Sequence, residues 1–255
     1  MNIYKTSLRK LKNDALLLRQ KTFLSFIEMG EAHLGGSFSM IEILLALYRC
    51  ILKKNDTFIL SKAHSSVPFC IMLRDYGYKP EITTHLEIDK KNGIECTTGS
   101  LGHGLPISVG MALAKKKKKN KSKVFVLISD GECQEGTTWE SLLIASSLKL
   151  NNLIIIVDYN KIQALDYIDN VLPLDNLKKK FEAFNCETYE IKNGHSFYSI
   201  LNKFKNIKIN KKPIVVILHT TKGKGIEKFE NDPSWHAKKI RNKEELIGKK
   251  SLGIL

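Results

Sequence analysis

Within this chain of 255 residues, Asp130 and Asn160 are the first pair whose types and placement could do chemistry. Asp130 follows the apolar run Val124–Ile128, inside Ser129-Asp130-Gly131-Glu132, and Asn160 closes a second, largely apolar run, Leu153–Tyr159. A carboxylate and an amide, each at the end of a buried parallel strand, are hard oxygen donors suited to a divalent metal that holds a diphosphate. Taken singly, Asp130 reads as a helix cap and Asn160 as a turn residue. Their joint placement favours a site. Gly131 permits close backbone approach to a diphosphate, and the helix start after it offers free N–H groups.

The histidines matter by position. His33 lies in a Gly-flanked turn, His64 follows a short strand candidate, and His85 sits in a polar loop. His103 is inside Gly99-Ser100-Leu101-Gly102-His103-Gly104, and His236 comes after Lys222-Gly223-Lys224-Gly225. An isolated histidine is ordinarily a surface or satisfied structural residue. Several gathered at one sheet edge can hold phosphate oxygens or move protons near neutral pH. The Gly-rich turn is not a dinucleotide fingerprint, because it follows an irregular stretch and lacks a placed acidic partner.

The elements that must position these groups alternate. Helical spacing predicts helices over 5–29, Met40–Tyr48 (capped by Ser37 or Ser39 after a turn from Gly30 to Gly36), 65–75, and from Pro106 into the lysine run. Residues 79–98 read as an irregular loop, and Thr57–Leu60 as a short strand. Beyond them, strand 124–128 precedes helix 137–148, strand 153–159 precedes helix 174–184, strand 186–191 precedes helix 196–205, and strand 213–219 comes last. This order predicts an α/β fold, a mostly parallel sheet with helices on both faces. One domain spans 1–255, with a core about 5–237 and a basic tail, 238–255, that shows no core periodicity.

Composition excludes several classes. With 43% hydrophobic residues the chain has ample material for a core. Its longest uninterrupted apolar runs fall far short of the ~20 residues of a membrane span, and Met1–Leu11 lacks the apolar centre of a secretory signal, so no membrane partner and a cytoplasmic location are expected. Cys50, Cys70, Cys96, Cys133 and Cys186 are scattered, which argues against a disulfide framework or structural zinc. The formal charge of +15 invites nucleic acid as a partner. Against it, only Arg9, Arg19, Arg49, Arg74 and Arg241 are arginines among 41 basic residues, and Lys115–Lys119 has no interleaved aromatics, so no nucleic-acid partner is expected.

Taken together, the motifs Ala32-His33-Leu34-Gly35-Gly36-Ser37, Leu60-Ser61-Lys62-Ala63-His64, Thr98–Gly104, Ser129–Glu132, Asp158-Tyr159-Asn160-Lys161-Ile162, Thr221–Gly225 and Ser234-Trp235-His236 resemble the amino-terminal, diphosphate-binding half of a transketolase. The resemblance runs from about Thr22 to His236. It implies a thiamine-diphosphate enzyme that moves a two-carbon ketol unit between sugar phosphates. By that resemblance Asp130, Asn160 and the main-chain oxygen of Ile162 would coordinate Mg²⁺ (or Ca²⁺), and His64, Gly131, Glu132, Lys222 and His236 would bind the diphosphate end. Gly99 and Leu101 would line the aminopyrimidine side, while His33, His85, His103 and His236 would face the substrate. Glu135 and Glu140 would lie near a subunit contact.

The sequence departs from the family pattern at Ser129, Ala32 and Ala63, which stand where glycines are usual, and at Leu86, where proline is usual. The motif set ends at His236, before the pyrimidine-binding domain of a full transketolase, so the resemblance implies a split enzyme. Its partners would be a separate carboxyl-terminal subunit carrying the pyrimidine-binding domain, further copies of this chain in a heterotetramer, and sugar-phosphate substrates. Two alternatives stand beside central pentose-phosphate chemistry: a specialised sugar substrate, and a non-catalytic subunit that retains the fold.

Overall fold

In the computed structural model, residues 6–31, 33–164 and 166–255 are described. Lys5, the expected start of the first helix, and Ala32, which opens the motif around His33, lie outside the described residues. The five strands are β1 (Thr57–Leu60), β2 (Val124–Ser129), β3 (Leu153–Tyr159), β4 (Glu187–Ile191) and β5 (Ile214–His219). They pair in the order β1-β2-β3-β5-β4, every pair parallel. The helices are α1 (Leu8–Met29), α2 (Leu34–Ser39), α3 (Ile41–Ala46), α4 (Ser66–Arg74), α5 (Gly104–Lys117), α6 (Gly136–Ser147), α7 (Ile168–Val171), α8 (Leu177–Ala183), α9 (Phe197–Lys205) and α10 (Asn242–Ser251).

Strands β2 and β3 are buried along their whole length, as a parallel sheet covered on both faces requires. Successive side chains divide between two cores with the period of a strand. Phe125, Leu127, Ile154, Ile156 and Val216 pack with residues of α1, α3, α4 and α9. Val124, Val126, Ile155, Val157 and Ile217 pack with residues of α5, α6 and α8. Each such side chain contributes about 1.5–3 kcal/mol relative to an exposed one, so burial on two faces fixes the register of the strands and hence where each strand ends. The α/β sheet expected from the alternation is present, with helices on both faces.

Two local expectations differ from the structure. The stretch expected as a turn from Gly30 to Gly36 ends at Leu34, where α2 begins. Gly30 alone closes α1, with φ 67°. A glycine is accepted inside α2 because a Cβ at Gly36 would come within 2.7 Å of Ser65 Oγ and 3.0 Å of His64 Nε2. Neither Ser37 nor Ser39 caps a helix: both lie within α2, where Ser39 bonds Asp158. The tail left unassigned forms α10, and Glu244 accepts the Arg241 N–H at 2.9 Å. Its apolar signal is sparse because it docks through a glycine, Gly248, set against the Phe23 ring, and through Leu252, which is 2% exposed. No described helix is long and apolar enough to cross a membrane.

The close approach of Gly248 to Phe23 leaves no room for a larger side chain. Gly248→Val is expected to cost about 1–3 kcal/mol, a fall of several degrees in the thermal midpoint. An unchanged melt would show that α10 does not dock on α1.

Candidate active site at the carboxyl edge of the sheet

The carboxyl ends of β1, β2, β3 and β5 open on one edge, and a cavity of about 220 Å³ lies there. His33, His64, His85, Gly99, Leu101, Asp130, Gly131, Asn160, Ile162, Lys222 and His236 all line it. Each arrives by a short route: His64 in a turn after β1, Asp130 directly after β2, Asn160 directly after β3, Lys222 just past β5, and His33 before α2. This is the position at which parallel α/β sheets bind ligands.

The acidic end is built from two adjacent strands. Asp130 is 1% exposed, and its Oδ1 accepts the Gly131 N–H at 2.9 Å. Its Oδ2 accepts the Lys161 N–H at 2.6 Å, which ties the β2 and β3 ends together beside Asn160. Lys161 reaches this position with φ 66°, a conformation that costs a non-glycine residue about 1–2 kcal/mol and is tolerated where the surroundings impose it. Asn160 Oδ1 accepts the Ile162 N–H at 3.1 Å. Lys222 Nζ donates to the carbonyls of Ile162 and Gln163, each at 3.0 Å.

These donors fit a divalent cation on three observations. The set is all oxygen: a carboxylate, an amide and a main-chain carbonyl. Burial, together with the charge of Asp158, pushes the Asp130 carboxyl up to about 7, the mark of a buried acid short of positive charge. The Ile162 carbonyl already accepts from a cation, the Lys222 ammonium. Beside this set, Gln163 Nε2 and His33 Nδ1 are buried with no hydrogen-bond partner, and both residues line the cavity. Unsatisfied polar groups in such a place are donors and acceptors held for a ligand.

Four imidazoles crowd the other side. The ring centroid of His33 lies 6.1 Å from that of His64, 6.4 Å from His85 and 5.8 Å from His236, and His64 lies 5.2 Å from His236. Burial, aided by the Lys62 and Lys222 charges, depresses His64 well below the ordinary imidazole value. Burial and Lys222 bring His236 down to about 3, and burial lowers His33 although Glu31 opposes it. Desolvation likewise lowers Lys222 to about 8. The three rings are neutral at pH 7 and act as hydrogen-bonding groups rather than as cations.

Four expected residues do not line the cavity. Glu132 is fully buried beneath it and accepts from the Ser129 N–H at 2.8 Å, the Gly102 N–H at 3.2 Å and the Ser61 hydroxyl. Burial raises its carboxyl, and its role in the structure is to join three loops. His103 is exposed at the start of α5, its Nδ1 2.9 Å from the Leu101 carbonyl. Glu135 and Glu140 are exposed at the start of α6.

Other lining residues were not anticipated: Gly36, Lys62, Ser129, Gln163 and Ala164. For Lys62 a signal existed. Asp158 is a charged residue inside an otherwise apolar strand, and a buried charge requires a partner. The Lys62 ammonium is that partner, with the hydroxyls of Ser39 and Thr220. Burial works against the Asp158 charge, yet Lys62 and these hydroxyls hold its carboxyl below the ordinary value.

Comparison with known proteins agrees with this geometry. The family described as transketolase, thiamine diphosphate binding domain, matches residues 24–255. The chain is 38% identical to one of the named subunits of the apulose-4-phosphate transketolase of Actinobacillus succinogenes, over 93% of this chain and 94% of that protein. It is 32% identical to the 6-deoxy-6-sulfo-D-fructose transketolase subunit SqwG of a Clostridium species, over 90% and 91%. Among solved structures, a transketolase from Campylobacter jejuni superposes with a TM-score of 0.82 at 25% identity, covering 99% of this chain and 43% of that one. The chain therefore spans less than half the length of that transketolase.

Two outcomes follow from the charges. Lys62→Met is expected to cost about 3–5 kcal/mol in urea unfolding, because it leaves the Asp158 carboxylate buried without its cation. A loss below about 1 kcal/mol would mean that the pair does not hold the site together. His64 and His236 stay neutral when folded, so below the ordinary imidazole value near 6.5 the unfolded chain binds more protons, and stability falls as pH drops from about 6.5 toward 3. The double substitution to Gln is expected to flatten that acid limb in unfolding measured across pH.

Proposed function

We propose, for a chain that belongs to the transketolase family through its thiamine diphosphate binding domain, that it is the amino-terminal subunit of a split transketolase. In this reading it transfers a two-carbon ketol unit from a ketose to an aldose sugar phosphate, with a separate subunit supplying the pyrimidine-binding domain. The observation that carries the reading is the convergence of Asp130, Asn160, the Ile162 carbonyl and Lys222 at one sheet edge beside neutral imidazoles. Asp130, Asn160 and Ile162 would hold Mg²⁺ (or Ca²⁺), with diphosphate oxygens completing the shell. Gly131, Lys222, His64 and His236 would hold the diphosphate end, and Gly99 and Leu101 the aminopyrimidine side.

Thiamine diphosphate, when bound, supplies the carbanion chemistry that carries the two-carbon unit. The chain's own part is orientation and electrostatics. Neutral rings of His33, His85 and His236 can each give or accept a hydrogen bond to substrate hydroxyls and pass a proton without placing a fixed charge there. Lys222 offers positive charge to the diphosphate, and burial of the site strengthens that attraction. Glu132 enters the reading as a residue that holds the loops rather than one that touches the cofactor.

The split arrangement is supported by relatives named as subunits that match over nearly their whole length. It is also supported by a face of α6 where Leu143 is 60% and Ile144 52% exposed, with Glu135 and Glu140 nearby. Such a face suits a partner subunit or a second copy, in keeping with a heterotetramer, and His103 at the rim would then face substrate in the assembled enzyme. A cytoplasmic location belongs to the same reading, supported by the free state of all five cysteines. A specialised sugar is favoured over general pentose-phosphate chemistry by one observation: the two relatives above are named for apulose-4-phosphate and 6-deoxy-6-sulfo-D-fructose.

The chain alone is expected to show negligible ketol transfer, with turnover appearing once the partner is added and lost on chelation of divalent metal. Asp130→Asn in the assembled enzyme is expected to weaken thiamine diphosphate binding at fixed Mg²⁺ at least about 10–100-fold by calorimetry. Strong turnover by the isolated chain, or binding indifferent to both metal and Asp130, would sink the proposal.

A further inference from the structure

Lys222 is 1% exposed, and its loop leaves β5 without regular structure to hold it. Two contacts grip the loop, one on each side of the lysine. The Thr221 N–H donates to His195 Nε2 at 2.8 Å, and Arg19 Nε donates to the Lys224 carbonyl at 2.8 Å. Both gripping groups meet one carboxylate, that of Glu42 on α3, which is 6% exposed. Arg19 Nη2 and His195 Nδ1 each lie 2.9 Å from Glu42 Oε2. None of the three lines the cavity.

The bonding fixes the histidine's proton. Thr221 presents an N–H, so Nε2 must accept, and Nδ1 must carry the hydrogen that it donates to Glu42. The ring arrives on the turn after β4, where Gly194 allows the approach: a Cβ there would lie 2.6 Å from Thr220 Cγ2 and 2.9 Å from the His219 carbonyl oxygen. Burial opposes the Glu42 charge, but Arg19 and the His195 hydrogen bond hold its carboxyl below the ordinary range. The far end of the loop is closed separately, by Glu230, which accepts the Gly225 N–H at 3.0 Å and pairs with Lys224.

We infer that Glu42, through Arg19 and His195, is the positioning device that sets the Lys222 loop, so that affinity for the diphosphate depends on three residues that never touch it. The inference rests on the proposed role of Lys222 toward the diphosphate. It extends that role to α1, α3 and the β4–α9 turn. A buried ion pair is a weak source of stability for its own sake. Orientation of a ligand-facing loop is a function that an apolar replacement could not perform.

The test compares His195→Ala with His195→Gln, whose amide can still donate to Glu42 and accept from Thr221. In the chain itself, His195→Ala is expected to speed amide hydrogen exchange over 220–225 and leave β2 and β3 unchanged. In the chain assembled with its partner, it is expected to weaken thiamine diphosphate binding at saturating Mg²⁺ about 10–100-fold, with His195→Gln restoring most of the loss. The rate at saturating cofactor stays near that of the unaltered enzyme, since His195 does not face the substrate. Should His195→Ala fail to fold, Glu42→Gln keeps the shape, removes the charge and is read in the same two ways. Unchanged exchange and affinity, or equal damage from Ala and Gln, would overturn the relay. Failure of the unaltered assembly to bind the cofactor would instead overturn the function proposed above, while the exchange comparison would still decide the relay.

Discussion

The buried pair of Asp158 and Lys62 is the interaction on which the site depends. Asp158 comes from β3, Lys62 from the turn after β1, and the two hydroxyls on the carboxylate come from α2 and from the loop after β5. Lys62 also donates to the Gly36 carbonyl at 2.9 Å. Four segments distant in sequence therefore meet at one charge beneath the cavity floor. Bringing an acid and an ammonium into a water-poor interior is costly unless every remaining donor and acceptor is matched, and here the matching groups are the ends of the loops that build the site.

A second constraint is charge balance around the cavity. Lys62 and Lys222 lie close to three histidines, so the rings stay neutral, while Asp130 lacks a full share of positive charge. A site arranged in this way suits a bound dication and an anionic diphosphate together, since each supplies what the protein side leaves unbalanced. The two cations are not equivalent. Lys62 is engaged by Asp158, whereas Lys222 spends its hydrogen bonds on main-chain carbonyls and its charge lies against the cavity.

The glutamate of the Asp130 motif shows how adjacent residues divide the work. Asp130 faces the cavity and Glu132 turns beneath it, joining the ends of β1 and β2 to the Gly-rich turn. Sequence proximity to Asp130 made Glu132 a candidate for cofactor binding, but the short helical turn over Gly131–Gln134 directs the two carboxylates differently. Glu42 stands in a similar relation to Lys222, acting through hydrogen bonds across two other residues.

The chain's own order of residues determined the sheet and the place of the site. Apolar runs ending in Asp130 and Asn160 could only become buried strands, and parallel strands carry their ligand-facing residues to one edge, so the residues just past β1, β2, β3 and β5 were readable as neighbours. Helix α2 was hidden because its glycines read as a turn until the side chains that exclude a Cβ are known, and α10 because it docks through Gly248 rather than an apolar stripe. Only the tertiary structure decided which charged residues balance one another: Lys62 with Asp158, Glu42 with Arg19 and His195. Those pairings join residues 23 to 153 positions apart in sequence. Periodicity reports which face a residue takes, whereas electrostatic matching depends on distances that exist only after the helices have packed.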